Sequence, residues 1–147
     1  IFRKTYPQLT ELEDRSAAIY RAAYPKAEYN KTKHCWSFPS GAKIYFGAMQ
    51  RSKDKLNYQG KHFDFVGFDE LTQFSWEEYS YMFSRNRPGG EGTRVYIRAT
   101  ANPGGPGHSW VKQRFITAHL RFPCVRPKDL KVLPWLAHRR QMSFWIL

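Results

Sequence analysis

The stretch Phe63-Asp64-Phe65-Val66-Gly67-Phe68-Asp69-Glu70 constrains this chain more than any other. It is an apolar run of strand length, aromatic and β-branched, that ends abruptly in two adjacent carboxylates. A strand with one wet face alternates polar and apolar residues. This run is too apolar for that and reads as a strand buried on both sides, as in a parallel sheet. Open α/β sheets bind their ligands at the carboxyl ends of such strands. A buried strand that delivers Asp69 and Glu70 to that edge suggests a site for a metal and a water. Asp69 would sit in the Mg²⁺ shell and Glu70 would polarise the attacking water. The competing reading is that both carboxylates only cap a turn or the next helix, since two-residue motifs are short.

The rest of the chain supplies partners for such a strand. Ile1–Thr5 reads as a strand that Tyr6-Pro7 ends. Thr10-Glu11-Leu12-Glu13 has the pattern of a capping box, which predicts a helix to about Ala23 with Leu12, Ala17, Ile19 and Ala23 as its apolar contacts. Cys35–Phe38, the turn Pro39-Ser40-Gly41 and the alternating run Ala42–Ala48 read as a hairpin. Gln50–Lys61 reads as a surface loop or a short helix. Ser75-Trp76-Glu77-Glu78 is a second capping box, predicting a helix from Trp76 to about Asn86. Arg94–Thr100 reads as another strand. Ser109 is expected to cap a helix from Trp110 to about Thr117. Strands alternating with helices favour an α/β domain with a mostly parallel sheet. Beyond Ala118 the pattern fails, because Pro123, Pro127 and Pro134 interrupt every periodicity. The domain is therefore expected over 1–118, with a basic, proline-interrupted tail over 119–147.

A length of 147 residues suits one domain with a real core, and 17% aromatic content excludes a disordered chain. No apolar run approaches the roughly 18 residues that cross a membrane. Cys35 and Cys124 are too far apart to suggest a disulfide framework, and no His or Cys stands at the spacing of a zinc site. His34-Cys35 reads as strand packing. The chain opens on Ile1-Phe2-Arg3, which looks like the inside of a strand, so it is expected to be a piece of a longer protein. Charge is uneven: residues 1–91 hold 14 Lys/Arg against 11 Asp/Glu, whereas residues 92–147 hold 10 against Asp129 alone. That excess suits a polyanion such as nucleic acid, with a solvated basic face as the bland alternative. Lys112, Arg114, Lys128, Lys131, Arg139 and Arg140 are its candidate DNA contacts.

A second polar cluster follows the Arg94–Thr100 strand, in Ala99-Thr100-Ala101-Asn102-Pro103-Gly104-Gly105. Thr100 and Asn102 place a hydroxyl and an amide at the edge expected for Asp69 and Glu70. Such neutral groups can feel a terminal phosphate without cancelling a metal's charge. Alone, the loop is a plain turn. Two successive strands that each end in a polar cluster are harder to explain as accident.

These segments together resemble a known family. Phe2-Arg3-Lys4-Thr5-Tyr6-Pro7-Gln8-Leu9, then Tyr58-Gln59-Gly60-Lys61 before Phe63–Phe74, then Thr100–Gly105, are similar to the ATPase domain of the large terminase subunit of tailed phages. The resemblance covers roughly residues 1–117. It implies a P-loop NTPase-like (RecA-type) sheet flanked by helices and truncated at its amino end. It implies an ATP-hydrolysing motor that drives double-stranded DNA into procapsids, with ATP and Mg²⁺ as cofactors. Asp69 matches the Walker B aspartate, Glu70 the catalytic glutamate, and Thr100-Ala101-Asn102 the coupling motif. Further implications are a homo-oligomeric ring, a portal protein and a small terminase subunit as partners, no membrane, and the cytoplasm of an infected or lysogenic bacterial host. In such rings a basic residue of one subunit can reach its neighbour's phosphates; Arg51 and Lys61, in the loop before Asp69, are the candidates.

The departures are specific. No Gly-rich loop ending in Gly-Lys-Ser or Gly-Lys-Thr occurs in the chain, so weak or no ATP turnover is expected of it alone. The family's nuclease carboxylates have no counterpart, because only Asp129 lies beyond Glu91. Two alternatives stay open: another nucleic-acid-dependent ATPase core, helicase-like or recombinase-like, and a non-enzymatic basic DNA-binding module.

Overall fold

A computed structural model describes residues 1–117 and the backbone of the strand Phe144–Ile146. The chain forms two compact units, Ile1–Gln50 and Arg51–Leu147. Each carries a parallel strand pair with helix, so the α/β expectation holds within each unit.

In the first unit, β1 (Phe2–Arg3) pairs in parallel with β5 (Gly47–Ala48). Between them lie helix α1 (Tyr6–Ala23) and an antiparallel sheet of β2 (Glu28–Asn30), β3 (Cys35–Ser37) and β4 (Lys43–Tyr45). The helix begins earlier than the Thr10 capping box predicted. Thr5 is its cap, and the Gln8 side-chain oxygen accepts from the Thr5 N–H at 3.1 Å. Pro7 lies in the first turn, where a missing N–H costs nothing. Thr10 is thus inside the helix and exposed, and Ile19, expected as a core contact, is 63% exposed. Leu9 is the fully buried helix residue instead.

Trp36 organises this unit's core. It is fully buried with Leu9, Phe46 and Ala48, and Tyr20, Tyr29, Phe38 and Ile44 pack on that cluster. Its indole N–H donates to Ser16 Oγ at 2.9 Å, and Ser16 donates to the Glu13 carbonyl. A buried indole thereby keeps its hydrogen bond. The expected hairpin is found between β3 and β4, but its second arm is shorter than Ala42–Ala48 because Gly47 and Ala48 leave it to pair with β1, and β2 is an added strand that the sequence pattern did not reveal.

In the second unit, β6 (Phe65–Phe68) pairs in parallel with β7 (Tyr96–Ala101), Phe65 opposite Tyr96 and Phe68 opposite Ala99. The strand predicted over 63–68 is shorter and only partly buried. Val66, Gly67 and Phe68 are enclosed, whereas Phe65 is 40% exposed, its ring tilted against Tyr96 with centroids 5.1 Å apart. Phe63 is limited to a single bridge with Asn86.

Ser75 caps α2 (Trp76–Tyr81) as expected, accepting from the Glu78 N–H while Glu78 accepts from the Ser75 N–H. The helix then tightens to a 3₁₀ turn over Met82–Arg85. The third helix starts one residue after Gly107 rather than after Ser109, as α3 (His108–Val111), and widens to a π-helical stretch over Lys112–Thr117. The unit's core joins Val66, Phe68, Leu71, Phe74, Tyr79, Met82, Ala99, Ala101 and Val111, all buried. A third strand, β8 (Phe144–Ile146), adds antiparallel to the outer edge of β7. No helix among the described residues is long and apolar enough to cross a membrane.

Candidate functional site

Two parallel neighbours must end at the same edge, so the chain leaving β6 and the chain leaving β7 emerge side by side. Hydrogen bonds join them directly. The Thr100 hydroxyl donates to Asp69 Oδ1, and its oxygen accepts from the Glu70 N–H at 3.1 Å. One hydroxyl therefore spends its proton on the first carboxylate and its lone pair on the backbone of the second. A second link lies just beyond: the Thr72 hydroxyl donates to the Asn102 carbonyl at 2.9 Å. Asp69, Glu70, Thr100 and Asn102 are all half-buried. The expectation that both polar clusters share one edge is met.

Glu70 has a feature that the sequence did not announce. Its backbone is left-handed, φ 58° and ψ 57°. Such a conformation costs a residue with a Cβ about 1–2 kcal/mol, and strain of this kind gathers at functional positions. The turn it makes ends β6 and sends the chain into a 3₁₀ turn over Leu71–Gln73. Among the described residues the Glu70 side chain has no hydrogen bond and no ion pair. Glu70 stands at the N-cap position of that 3₁₀ turn without a side-chain cap bond, and the cap of α2 is Ser75.

The loops around the cluster are held by close backbone approach. Gly107 N–H donates to the Thr72 carbonyl at 2.7 Å. A Cβ on Gly107 would collide with the Phe74 carbonyl, with Trp110 Nε1 at 2.7 Å and with Thr72 O at 2.9 Å. Gly105, at φ +80°, has the Thr72 carbonyl 2.7 Å from where its Cβ would stand. Both glycines are required by contact with the turn that follows Glu70. The Trp110 indole N–H adds a bond to the Phe74 carbonyl at 2.9 Å. The loop after β7 and the turn after β6 are thus one packed assembly.

A magnesium ion would suit this donor set. No three His, Cys, Asp or Glu side chains converge among the described residues. Mg²⁺ commonly uses one or two carboxylates and completes its shell with water and substrate phosphates. Adjacent Asp69 and Glu70 can supply that number. The phosphate cradle is another matter, since no Gly-Lys-Ser or Gly-Lys-Thr loop occurs in the sequence.

The basic candidates stand differently. Arg51 is exposed and starts the 3₁₀ helix Ser52–Tyr58, its N–H donating to Asp54. The Lys61 ammonium lies 5.3 Å from the centre of the Tyr58 ring. Neither is hydrogen-bonded or paired with Asp69 or Glu70. Lys112 is exposed, and the Arg114 guanidinium lies 4.8 Å from the Trp76 ring centre, also near Phe83 and Phe115. Arg114 opposes the burial that pushes the Tyr79 hydroxyl above its ordinary pKa. Lys128, Lys131, Arg139 and Arg140 lie outside the described residues.

With this geometry in view, comparison with known families is decisive. Residues 1–124 match the family described as terminase large subunit, T4likevirus-type, N-terminal. The match spans most of the chain, and the chain belongs to that family. No curated protein and no solved structure matches it. Membership places the chain within phage DNA packaging.

Proposed function

We propose that this chain supplies the water-activating and metal-binding edge of an ATP-hydrolysing motor that moves double-stranded DNA into procapsids, on a P-loop NTPase-like sheet. One observation carries the reading. Glu70 is half-buried on left-handed backbone, and its carboxylate has no partner among the described residues. A strained backbone that presents an unengaged carboxylate is poor structural economy and good preparation for chemistry.

Mg²⁺ with ATP would bring a charge-neutralised phosphate chain and a metal-bound shell of water. Asp69 is the residue that would hold the metal, through its carboxylate, with the Thr100 hydroxyl fixing the orientation of that group. Glu70 would orient the attacking water and accept its proton, the work of a general base. Thr100 is suited to a coupling role because its hydroxyl touches both carboxylate residues. Any change of charge at Asp69 alters the hydrogen bond that positions the Glu70 backbone. Asn102 extends that link to the turn at Thr72.

The remaining parts of the reading rest on family and charge. They are a homo-oligomeric ring, Arg51 or Lys61 reaching a neighbour's phosphates, and DNA contacts from Lys112, Arg114, Lys128, Lys131, Arg139 and Arg140. They also include a portal protein and a small subunit as partners, in the cytoplasm of an infected or lysogenic bacterium.

The test places the chain in a large-subunit background that supplies a phosphate loop and follows Mg-dependent ATP turnover with and without duplex DNA. Glu70→Gln should keep nucleotide binding and lose turnover, because the amide keeps the shape and cannot take the proton. Asp69→Ala should weaken binding of the Mg-nucleotide itself. Turnover that survives Glu70→Gln within a few-fold overturns the assignment. Robust turnover by the 147-residue chain alone would place the phosphate site elsewhere.

A further inference from the structure

The loop leaving Asn102 turns on two glycines with left-handed backbone, Gly104 at φ 105° and Gly105 at φ 80°. Glycine enters and leaves such conformations at little cost, so contacts outside the pair have to hold them. The His108 N–H donates to the Gly105 carbonyl at 3.2 Å. Gly104 is held by a side chain: its N–H donates to Nδ1 of His108 at 3.1 Å. Among the described residues that N–H has no other acceptor. A backbone N–H can only donate, so Nδ1 presents its lone pair and the proton of the neutral ring sits on Nε2. The contact therefore fixes both the tautomer and the charge of His108. An imidazolium carries N–H on both nitrogens and would set two donors against each other.

The same loop is closed at two further points. The Thr72 hydroxyl donates to the Asn102 carbonyl at 2.9 Å, and the Gly107 N–H donates to the Thr72 carbonyl at 2.7 Å. Both tie it to the turn after Glu70. Of these closures only the one at Gly104 uses a titratable group. His108 is half-buried, so solvent protons reach it.

We propose that His108 is the positioning residue of the Thr100–Gly105 loop: as a neutral ring protonated on Nε2 it holds Gly104 in place, and it releases the loop when it takes a second proton. This rests on the reading of Thr100 and Asn102 as coupling groups, which gives the loop's position its consequence. The surroundings of the ring favour release. The turn Leu71–Gln73 packed on α3 carries no charge, with Glu70 at its start. Asp69 is engaged by Thr100, Glu77 by Lys55, and Glu78 by the Ser75 N–H. On the helix itself Lys112 stands one turn on, its N–H bonded to the His108 carbonyl, and like charges at that spacing disfavour one another. Arg114 lies over the Trp76 ring. Among the described residues no carboxylate is bonded to His108 to keep an imidazolium in place.

Water-exchange and long-range proton–nitrogen NMR on the full chain read the bond directly. At pH about 8 the spectra should show the His108 proton on Nε2 and the Gly104 amide protected from exchange. That protection, corrected for the intrinsic pH dependence of exchange, should fall at least about fivefold on passing to pH about 5, the span in which histidine gains its charge. His108→Ala should lose it at both pH values. His108→Asn should keep it at both, because Oδ1 stands where Nδ1 does, accepts, and takes no proton. A proton on Nδ1, or equal protection in the parent and in His108→Ala at the higher pH, overturns the proposal without any use of turnover. The second measurement is DNA-dependent ATP turnover in the phosphate-loop background. His108→Ala should lower kcat about tenfold, the scale of a misplaced group, with KM for Mg-ATP within about twofold because no contact joins His108 to Asp69 or Glu70. His108→Asn should restore kcat and flatten the acid limb of the pH profile. Parent-like kcat in His108→Ala, where Glu70→Gln is inactive, would overturn the role of His108 and leave that of Glu70. Turnover that survives Glu70→Gln would overturn the reading of the site, and the coupling role of His108 with it.

Discussion

Two residues other than glycine take left-handed backbone among the described residues, His34 in the first unit and Glu70 in the second. They sit at φ 47° and 58°. Their side chains have opposite fates. His34 is used up by its surroundings: Nδ1 is 2.7 Å from Glu13 Oε1, and the ring packs on Tyr6 with centroids 5.1 Å apart. The contacts account for the strain. Glu70 has the same backbone cost and no such return, and its carboxylate stands at the joined ends of β6 and β7. Strain alone does not mark a site. Strain without a partner for the side chain, at the edge where a parallel pair ends, is what separates Glu70 from His34.

That difference can be broken by experiment, beginning with the largest effect. In a large subunit supplying a phosphate loop, Glu70→Gln should lower ATP turnover by about 10²–10⁴-fold, the usual yield of a positioned base, and His34→Gln should leave it within a few-fold. Equal losses would erase the distinction. Next comes the hinge between the two carboxylates. Thr100→Val removes a hydroxyl that serves Asp69 and Glu70 at once, and should cost about 1–3 kcal/mol in urea unfolding. Combined with Asp69→Asn, the two changes should be non-additive by more than about 0.5 kcal/mol. Simple additivity would mean that the hydrogen bond between them does not contribute.

The converse holds in the first unit. Glu13→Gln weakens a contact that rewards His34 and should cost about 1 kcal/mol; a neutral result would leave His34 as unexplained as Glu70. The smallest effect is alkaline. Burial raises the pKa of Tyr20 in one unit and of Tyr79 in the other. A raised phenol pKa means that the fold prefers the neutral ring. Its contribution is therefore complete below pH about 10 and is lost as pH rises past it. The urea midpoint should fall as pH rises above about 10, and less steeply in Tyr20→Phe and Tyr79→Phe. An unaltered slope in both would remove these rings from the alkaline transition.

How much of this was legible in the sequence depends on which physics decided each element. The carboxyl ends of β6 and β7 were readable because an apolar run stopping at Asp69-Glu70 and a small-residue loop at Thr100–Gly105 leave few alternatives. Ser75 and Glu78 were readable because a capping box is a local device. Thr10 and Glu13 show the limit of that rule. They satisfy the same pattern, but Pro7 is tolerated in a first turn and Leu9 has a core to reach, so the helix starts at Tyr6. β2 was invisible because Glu28-Tyr29-Asn30 has little strand propensity of its own and pairs only because Trp36 gives Tyr29 a packing partner. The strand at Phe144–Ile146 was equally silent, since three apolar residues become an element only when an edge receives them. The left-handed turn at Glu70 could not be foreseen, because nothing in a glutamate announces it.

The most direct test makes one substitution and measures it twice. Glu70→Gly releases the left-handed strain, which should offset or exceed the entropy glycine adds to the unfolded chain. Stability should stay level or rise by up to about 1 kcal/mol. Turnover in the phosphate-loop background should fall by at least about 100-fold, because the carboxylate is gone. Level or raised stability together with lost turnover is the result expected of a carboxylate kept for chemistry. A loss of more than about 1 kcal/mol with turnover intact would show that Glu70 is structural, and the site would have to be sought elsewhere.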